Sequence, residues 1–187
     1  MAPLATDAQR ELAVLTDLLT AVRTDHGNLP QHRLASMVGV STNSVIDWES
    51  GQESLTLRHL IAWAHSLALR LVIIDAFGAQ IRYPLARDSA EAWDAYELRR
   101  LTGALRDVRE GSLGLTQLEV ARKAGVSRSS IRHWEVLTTP PRSIGFIRWT
   151  MALGFRIRLA QLRPPHRILS LAERPGLPTA EPDHQIP

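Results

Sequence analysis

The chain has 187 residues, with 22 lysine and arginine side chains against 19 aspartate and glutamate, a formal net charge of +3 and no cysteine. The missing cysteine excludes disulfides, thiolate chemistry and cysteine-ligated zinc. The charge is uneven, since residues 1–88 carry 7 basic and 9 acidic side chains whereas residues 89–187 carry 15 and 10. A basic half suits a polyanionic partner, although basic side chains often form only a solvated face.

The first residues lack the apolar core of a secretion signal, because Asp7, Arg10 and Glu11 arrive too early. Arg70 interrupts the longest apolar run, and a membrane-spanning helix needs about 18 or more consecutive apolar residues. We therefore expect a cytoplasmic protein that does not contact a membrane.

Residues 1–10 contain Pro3 and show little periodicity, which predicts a flexible N-terminus. Apolar side chains then recur at helical spacing over residues 12–22, and again over residues 98–108. Each of these two patterns predicts an amphipathic helix that opens a structural unit.

A 19-residue stretch occurs twice, at residues 31–49 (QHRLASMVGVSTNSVIDWE) and, 86 positions later, at residues 117–135 (QLEVARKAGVSRSSIRHWE). The identical pairs are Gln31/Gln117, Ala35/Ala121, Gly39/Gly125, Val40/Val126, Ser41/Ser127, Ser44/Ser130, Trp48/Trp134 and Glu49/Glu135. The apolar spacing predicts a helix, a tight turn and a second helix in each copy. A repeat of this length favours two compact units of similar build.

The turn between the two helices has its own residue signals. Gly39 and Gly125 fall where the chain must turn with positive φ, a conformation that glycine adopts without steric cost. Ser41 and Ser127 follow at the position that caps a helix, where the hydroxyl accepts a backbone N–H. Both signals predict a sharp turn into the second helix of each copy.

The 86-residue offset continues without a gap through Trp63/Trp149, which predicts a further helix in each unit. Segment 70–75 (RLVIID) reads as a strand, and the short run 80–83 after it predicts a hairpin. Segment 155–161 (FRIRLAQ) reads as a strand in the second unit. Pairing of the 70–75 and 155–161 strands would form a small sheet.

The predicted fold class is therefore mainly α, with two tandem units that are each followed by a short strand or hairpin. We expect the first unit over residues 11–86 and the second over residues 87–163, with the joint near 87–91. From Pro164 onward there are six prolines in 24 residues, so residues 164–187 are expected to form a largely disordered tail.

The second copy of the repeated stretch matches a known family pattern more closely than the first. Its motif residues are Leu115-Thr116-Gln117, Val120-Ala121, Ala124-Gly125-Val126-Ser127-Arg128, Ile131 and Trp134-Glu135. They resemble the Cro/CI-type helix-turn-helix of the lambda-repressor-like, xenobiotic-response-element (XRE) family of DNA-binding proteins. The resemblance covers residues 12–75 and 98–161. It implies compact domains of four or five helices, in which the third helix enters the major groove of double-stranded DNA and the protein regulates transcription.

The outward face of the second copy carries four polar side chains, Arg128, Ser129, Arg132 and His133, because the apolar positions are assigned to the core. Arginine can form two hydrogen bonds with guanine O6 and N7, serine is permissive, and histidine can donate to a purine or a phosphate. Ser127 belongs to the same predicted DNA-binding set. The resemblance implies that Gln117 meets the DNA backbone or buttresses the recognition helix. Arg142, after the helix, is predicted to clamp a phosphate.

The first copy has side chains that are expected to bind DNA less tightly. Its predicted contact residues are Gln31, Ser41, Thr42, Asn43, Ile46 and Asp47. Asparagine can bind adenine through two bonds, isoleucine can touch a thymine methyl, and aspartate can accept from cytosine N4. Since Asp47 also repels phosphates, the alternative is that this copy has lost tight DNA contact and serves for packing.

Two architectures fit the repeat: an intrachain pseudo-dimer on an imperfect palindrome, or a homodimer in which one repeat binds DNA and the other, with its strands, forms the subunit contact. Two other functions remain open, namely an antitoxin-like autoregulator that binds a partner protein with its tail, and an adaptor that uses the repeats for protein contact. We expect the repeated tryptophans to pack in the core, and Glu49 and Glu135 to form hydrogen bonds within the domain.

No enzymatic activity, cofactor or metal site is expected. The sequence has no phosphate-cradling glycine loop and no nucleophile elbow. His59 and His65 are six positions apart, and the other histidines show no ligand spacing.

Overall fold

The computed structural model of the chain describes residues 2–25 and 28–162. The helices and strands are, in order, α1 (Ala2–Asp25), α2 (Gln31–Val38), α3 (Thr42–Glu49), α4 (Leu57–Ser66), β1 (Leu69–Ile74), α5 (Trp93–Asp107), α6 (Gln117–Ala124), α7 (Arg128–Glu135), α8 (Ser143–Ala152) and β2 (Arg156–Gln161). A π-helical turn, Val108–Ser112, extends α5. The predicted mainly α fold with a small sheet is confirmed. The tail expected over residues 164–187 lies outside the described residues.

The first helix is longer than the sequence predicts, because α1 begins at Ala2 where a flexible segment over residues 1–10 was expected. Ala8 is fully buried within this added length. The reason is a long-range contact, since α1 packs against α8 and β2 of the second repeat. The periodicity of a single segment does not report such a contact.

The two repeats share one core. In each repeat the first helix of the helix-turn-helix packs against the last helix of the same repeat, α2 on α4 and α6 on α8. The first helix of each repeat packs instead on the last helix of the other repeat, α1 on α8 and α5 on α4. Trp63 and Trp149 are fully buried in a single apolar cluster that draws on both repeats. The tandem units are thus interlocked.

An approximate two-fold axis relates the two repeats. The pairing of β1 with β2 that the sequence suggested is present and is antiparallel, and Val72 lies opposite Arg158, the residue 86 positions later. A separate bridge joins Thr56 to Arg142, which are again 86 positions apart. Because each bridge joins a residue to its own repeat equivalent, both bridges lie on the axis that relates the repeats.

Ion pairs between the repeats obey the same symmetry. Glu97 on α5 accepts from Arg70 on β1 at 2.5 Å. The equivalent Glu11 on α1 accepts from Arg156 on β2 at 3.1 Å, and also from Arg158. The opening helix of each repeat is therefore tied to the strand of the other.

The predicted hairpin after β1 is present but short. Asp75 N donates to Ala79 O at 2.9 Å, and Ile81 N donates to Ile73 O at 2.9 Å. The return run forms a single bridge with β1 because the chain then leaves the sheet at Tyr83. The ring of Tyr83 lies so close to Gly103 that a Cβ added there would be 2.7 Å from it.

Candidate nucleic-acid interface

The turn into each recognition helix has the predicted geometry. Gly39 has φ 79° and Gly125 has φ 66°, so both occupy the left-handed region. Ser41 Oγ accepts from Ser44 N at 3.1 Å, and Ser127 Oγ accepts from Ser130 N at 3.0 Å. These caps satisfy backbone donors at the helix N-termini. They fix where α3 and α7 begin.

The recognition helices rest on paired tryptophans. Trp48 lies 6.3 Å from Trp63 between ring centroids, and Trp134 lies 6.0 Å from Trp149. Trp63 and Trp149 are fully buried. The prediction that these side chains pack in the core is confirmed.

A buried hydrogen-bond network holds the C-terminal end of α7. The carboxylate of Glu135 accepts from Arg109 Nε at 2.5 Å, from Arg109 Nη2 at 2.9 Å and from Gln117 Nε2 at 2.8 Å. Arg109 Nη1 also donates to Leu115 O at 2.8 Å. Burial disfavours the charge of Arg109, but the hydrogen bonds and proximity of Glu135 outweigh it and raise the pKa of the guanidinium. The network ties α5, α6 and α7 together.

The first repeat contains the same network. Glu49 accepts from Arg23 Nε at 2.6 Å and from Gln31 Nε2 at 2.7 Å, and Arg23 Nη1 donates to Leu29 O at 2.7 Å. Internal hydrogen bonding of Glu49 and its equivalent in α7 is thus confirmed. Each repeated glutamine donates to the glutamate at the end of its recognition helix, and contact of either glutamine with DNA stays a prediction. Sequence reasoning missed Arg23 and Arg109, although the offset of 86 relates them as well.

The side chains predicted to read bases in the second repeat share one exposed surface. Arg128, Ser129, Arg132 and His133 are all exposed on α7. Ser129 Oγ lies 2.9 Å from the capping Ser127 Oγ, so these two hydroxyls are neighbours at the helix start. Arg142 is exposed as well, at the two-fold bridge that precedes α8. Their contact with DNA remains a prediction.

Further cations that the sequence analysis overlooked surround this surface. Arg122 and Lys123 are exposed at the C-terminal end of α6. Arg148 on α8 reaches the turn, with Nη2 3.6 Å from where a Cβ on Gly125 would lie. They were missed because only the outward face of the recognition helix was searched. They add positive charge beside α7.

The first repeat has neutral side chains at the positions equivalent to this cluster. Where the second repeat has Arg122, Lys123, Arg128, Arg132, Arg142 and Arg148, the first has Ser36, Met37, Thr42, Ile46, Thr56 and Ala62. Asn43 is exposed and Ile46 is 42% exposed, whereas Thr42 and Asp47 are half-buried. The two recognition surfaces therefore differ in charge although their scaffolds match.

Fold and site together define a tandem helix-turn-helix protein of the DNA-binding class. A family model described as helix-turn-helix (HTH_3) matches residues 19–74 and 105–143, just over half of the chain. The chain belongs to this helix-turn-helix family, as a DNA-binding regulator of the XRE, Cro/CI type with two tandem copies. This is a family of DNA-binding domains and not of enzymes.

No curated protein and no solved structure matches the chain. Over the residues described, no helix is both long enough and apolar enough to cross a membrane.

Proposed function

We propose that one chain binds an imperfectly palindromic DNA site as an intrachain pseudo-dimer, with α3 and α7 in successive major grooves. The observation that carries this proposal is the approximate two-fold axis through the Val72/Arg158 and Thr56/Arg142 bridges. Helix-turn-helix dimers present two recognition helices about such an axis, to half-sites ~34 Å apart. In this chain the two tandem repeats supply both recognition helices.

The second repeat provides most of the affinity and the sharper readout. Arg128 and Arg132 each contact a guanine through two hydrogen bonds, and His133 donates to a purine or a phosphate. Ser127 and Ser129, at the N-terminal end of α7, bind the DNA backbone near the entry to the groove. Gln117 holds the helix through Glu135 at 2.8 Å, as a positioning residue. Arg142 binds a phosphate near the centre of the site.

The first repeat reads a different half-site. Asn43 pairs with adenine, Ile46 contacts a thymine methyl, and Asp47 accepts from cytosine N4. Ser41 and Thr42 lie at the start of the helix, where backbone contacts are made. Gln31 is the positioning residue here, through its 2.7 Å bond to Glu49. Because the two sets of reading residues differ, the two half-sites differ in sequence.

Replacing Arg128 or Arg132 by alanine is expected to cost about 1–3 kcal/mol of binding free energy, concentrated at one base pair. Arg142→Ala is expected to weaken binding to all sequences and to lower the salt slope by about 1. Competition binding against a panel of single base-pair variants, repeated over a salt series, measures both effects. Thr42→Ala, at the repeat equivalent of Arg128, is the matched control with a smaller loss in the other half-site. A uniform loss for Arg128→Ala across the panel would contradict its role in base reading.

The proposal as a whole is tested by selecting bound DNA from a random pool. We expect two unlike half-sites about one helical turn apart. A symmetric site at which Arg128→Ala and Asn43→Ala weaken the same base positions would overturn the pseudo-dimer, and so would a single enriched half-site.

One observation favours a second role for the first repeat, as a protein-binding surface. Met37 is 57% exposed and Ile46 is 42% exposed, at positions where the second repeat has Lys123 and Arg132. Exposed apolar side chains in place of cations suit contact with a protein better than contact with DNA. Enrichment of only the half-site read by α7 in the selection experiment would favour this role, which fits an autoregulator with a partner protein or an adaptor.

A further inference from the structure

A groove on the first repeat lies between α1, the loop after α3 and the start of α8. It holds a cavity of about 440 Å³. Gln9, Ala13 and Asp17 line the cavity from successive turns of α1, since they are four positions apart. Glu53 and Ser54 line it from the loop. Sites for small molecules have comparable volumes, about 300–1,000 Å³.

The free charge of this groove is negative. Its lining includes Asp17, Glu49 and Glu53, and no cationic side chain among the described residues. Glu49 is already neutralised, because Arg23 Nε donates to its carboxylate at 2.6 Å. Asp17 and Glu53 are exposed, and neither forms an ion pair with another residue of the described ranges. Two carboxylates are therefore free to pair with a bound cation.

The rest of the lining suits an apolar group. Leu12, Leu55 and Ile144 contribute aliphatic side chains, and Trp48 contributes an aromatic one. Ser54 Oγ is buried at the same cavity and has no hydrogen-bond partner among the residues described. A buried polar atom without a partner destabilises the fold, and a donor on a ligand would supply the missing bond.

The second repeat has an equivalent groove whose lining differs in charge. Gly103 and Glu135 line a cavity of about 370 Å³ there, and each lies 86 positions after a residue that lines the first groove. Arg99 and Arg106 line it as well, and the carboxylate of Glu135 is held by Arg109. The acidic lining is therefore a property of the first groove and not of the repeated scaffold.

The size and walls of the first groove favour an organic cation over a metal ion. Within residues 2–25 and 28–162, no group of three or more His, Cys, Asp or Glu side chains could hold a metal ion. We propose that the groove binds a small primary amine with an apolar body. Its ammonium group pairs with Asp17 and Glu53, and its hydrocarbon packs on Leu12, Leu55 and Ile144. Because Ile144 belongs to α8, the bound amine contacts both repeats.

Titration calorimetry of the full-length protein with small amines tests the site. The probes are 2-phenylethylamine, cyclohexylmethylamine and hexylamine, each compared with the alcohol of the same carbon skeleton. We expect at least one amine to bind as one molecule per chain, about tenfold or more tightly than its alcohol. Equal affinities for every amine and its alcohol would overturn the proposal. The absence of saturable binding by any amine up to about 10 mM would overturn it as well.

Charge variants locate the bound amine. The double variant Asp17→Asn, Glu53→Gln is expected to weaken amine binding by about tenfold or more. The matched control is Asp25→Asn, Asp107→Asn, which removes the same charge at two exposed positions outside the groove lining. Its affinity is expected to stay within about twofold of the unmodified protein. Equal losses in the two double variants would show a general charge effect and would overturn the proposed site. Thermal denaturation checks that both variants are folded.

A third variant transfers the charge of one groove to the other. Ala13→Arg places in the first groove the cation that the second repeat carries as Arg99, 86 positions later. Ala13 is exposed on α1, so the fold tolerates the longer side chain. We expect this variant to abolish amine binding, and unchanged affinity would overturn the proposal. These titrations contain no DNA, so their outcome is separate from that of the proposed function.

Discussion

Arg109→Ala is expected to lower the free energy of unfolding by about 3–5 kcal/mol, the usual cost of removing one partner from a buried ion pair. The side chains of Arg109 and Glu135 are 6% and 3% exposed, so water cannot take over the lost contacts. Glu135 would keep only the bond from Gln117. The carbonyl of Leu115 would also lose its donor. Since domains of this kind are stable by only about 5–15 kcal/mol, much of the folded protein could be lost.

Chemical denaturation monitored by tryptophan fluorescence measures this change. Arg106→Ala is the matched control, because Arg106 is 41% exposed and its ion pair with Asp107 is long, at 3.9 Å. Its loss is expected to be under about 1 kcal/mol. The double variant Arg109→Met, Glu135→Leu should recover most of the loss, since no buried charge is left unpaired; Glu110, which also loses its pair with Arg109, is 57% exposed. An Arg109→Ala loss no larger than the Arg106→Ala loss would contradict the assigned network.

Glu97→Ala is expected to destabilise the protein by a similar amount, about 3–5 kcal/mol, through the contact between repeats. Glu97 is 1% exposed, and it accepts from Arg70 at 2.5 Å and from Arg100 at 2.7 Å. Arg100 is itself 6% exposed, so it would become a buried cation without its carboxylate. Thermal and chemical denaturation of the variant measure the loss.

The repeat supplies the control for this prediction. Glu11 is the equivalent of Glu97, but its partners Arg156 and Arg158 are 50% and 44% exposed. Solvent can rehydrate both arginines, so Glu11→Ala is expected to cost roughly 1 kcal/mol. Equal losses in the two variants would show that burial does not set the strength of these pairs.

Local signals in the sequence predicted the elements of the fold well. Apolar spacing located the helices of both repeats, and the glycine and serine pairs at the turn located the starts of α3 and α7. The same spacing predicted which side chains of α7 are exposed, because assigning the apolar positions to the core leaves few alternatives. Strand pairing followed from the repeat as well, and the register adds the two-fold axis.

The long-range partners of charged side chains and of helix faces were not predicted, for a physical reason. Arg23 and Glu49 are 26 positions apart, and Glu11 and Arg156 are 145 positions apart. Periodicity reports which face of one element is buried, but it does not report which other element covers that face. The crossover of α1 onto the second repeat therefore required the structure. The identical offset of Arg23/Arg109 and Glu49/Glu135 was available in the sequence as a sign of a repeated pair.

The unequal charge of the two recognition surfaces has a functional consequence. A homodimer presents two identical recognition surfaces and favours a symmetric site. This chain instead carries two different recognition surfaces on one scaffold. Arg128 and Arg132 stand where the first repeat has Thr42 and Ile46. Under the proposed function each half-site can then vary independently, with the half read by α7 dominating the salt dependence of binding.

The central claim is that a single chain occupies both half-sites, and the most direct test is the stoichiometry on the selected DNA. Native mass spectrometry of the complex, with a footprint of the same duplex, measures it. The account predicts one 20.8 kDa chain per duplex, with protection over two unlike half-sites about one turn apart. Two chains per duplex, each protecting one half-site, would contradict it.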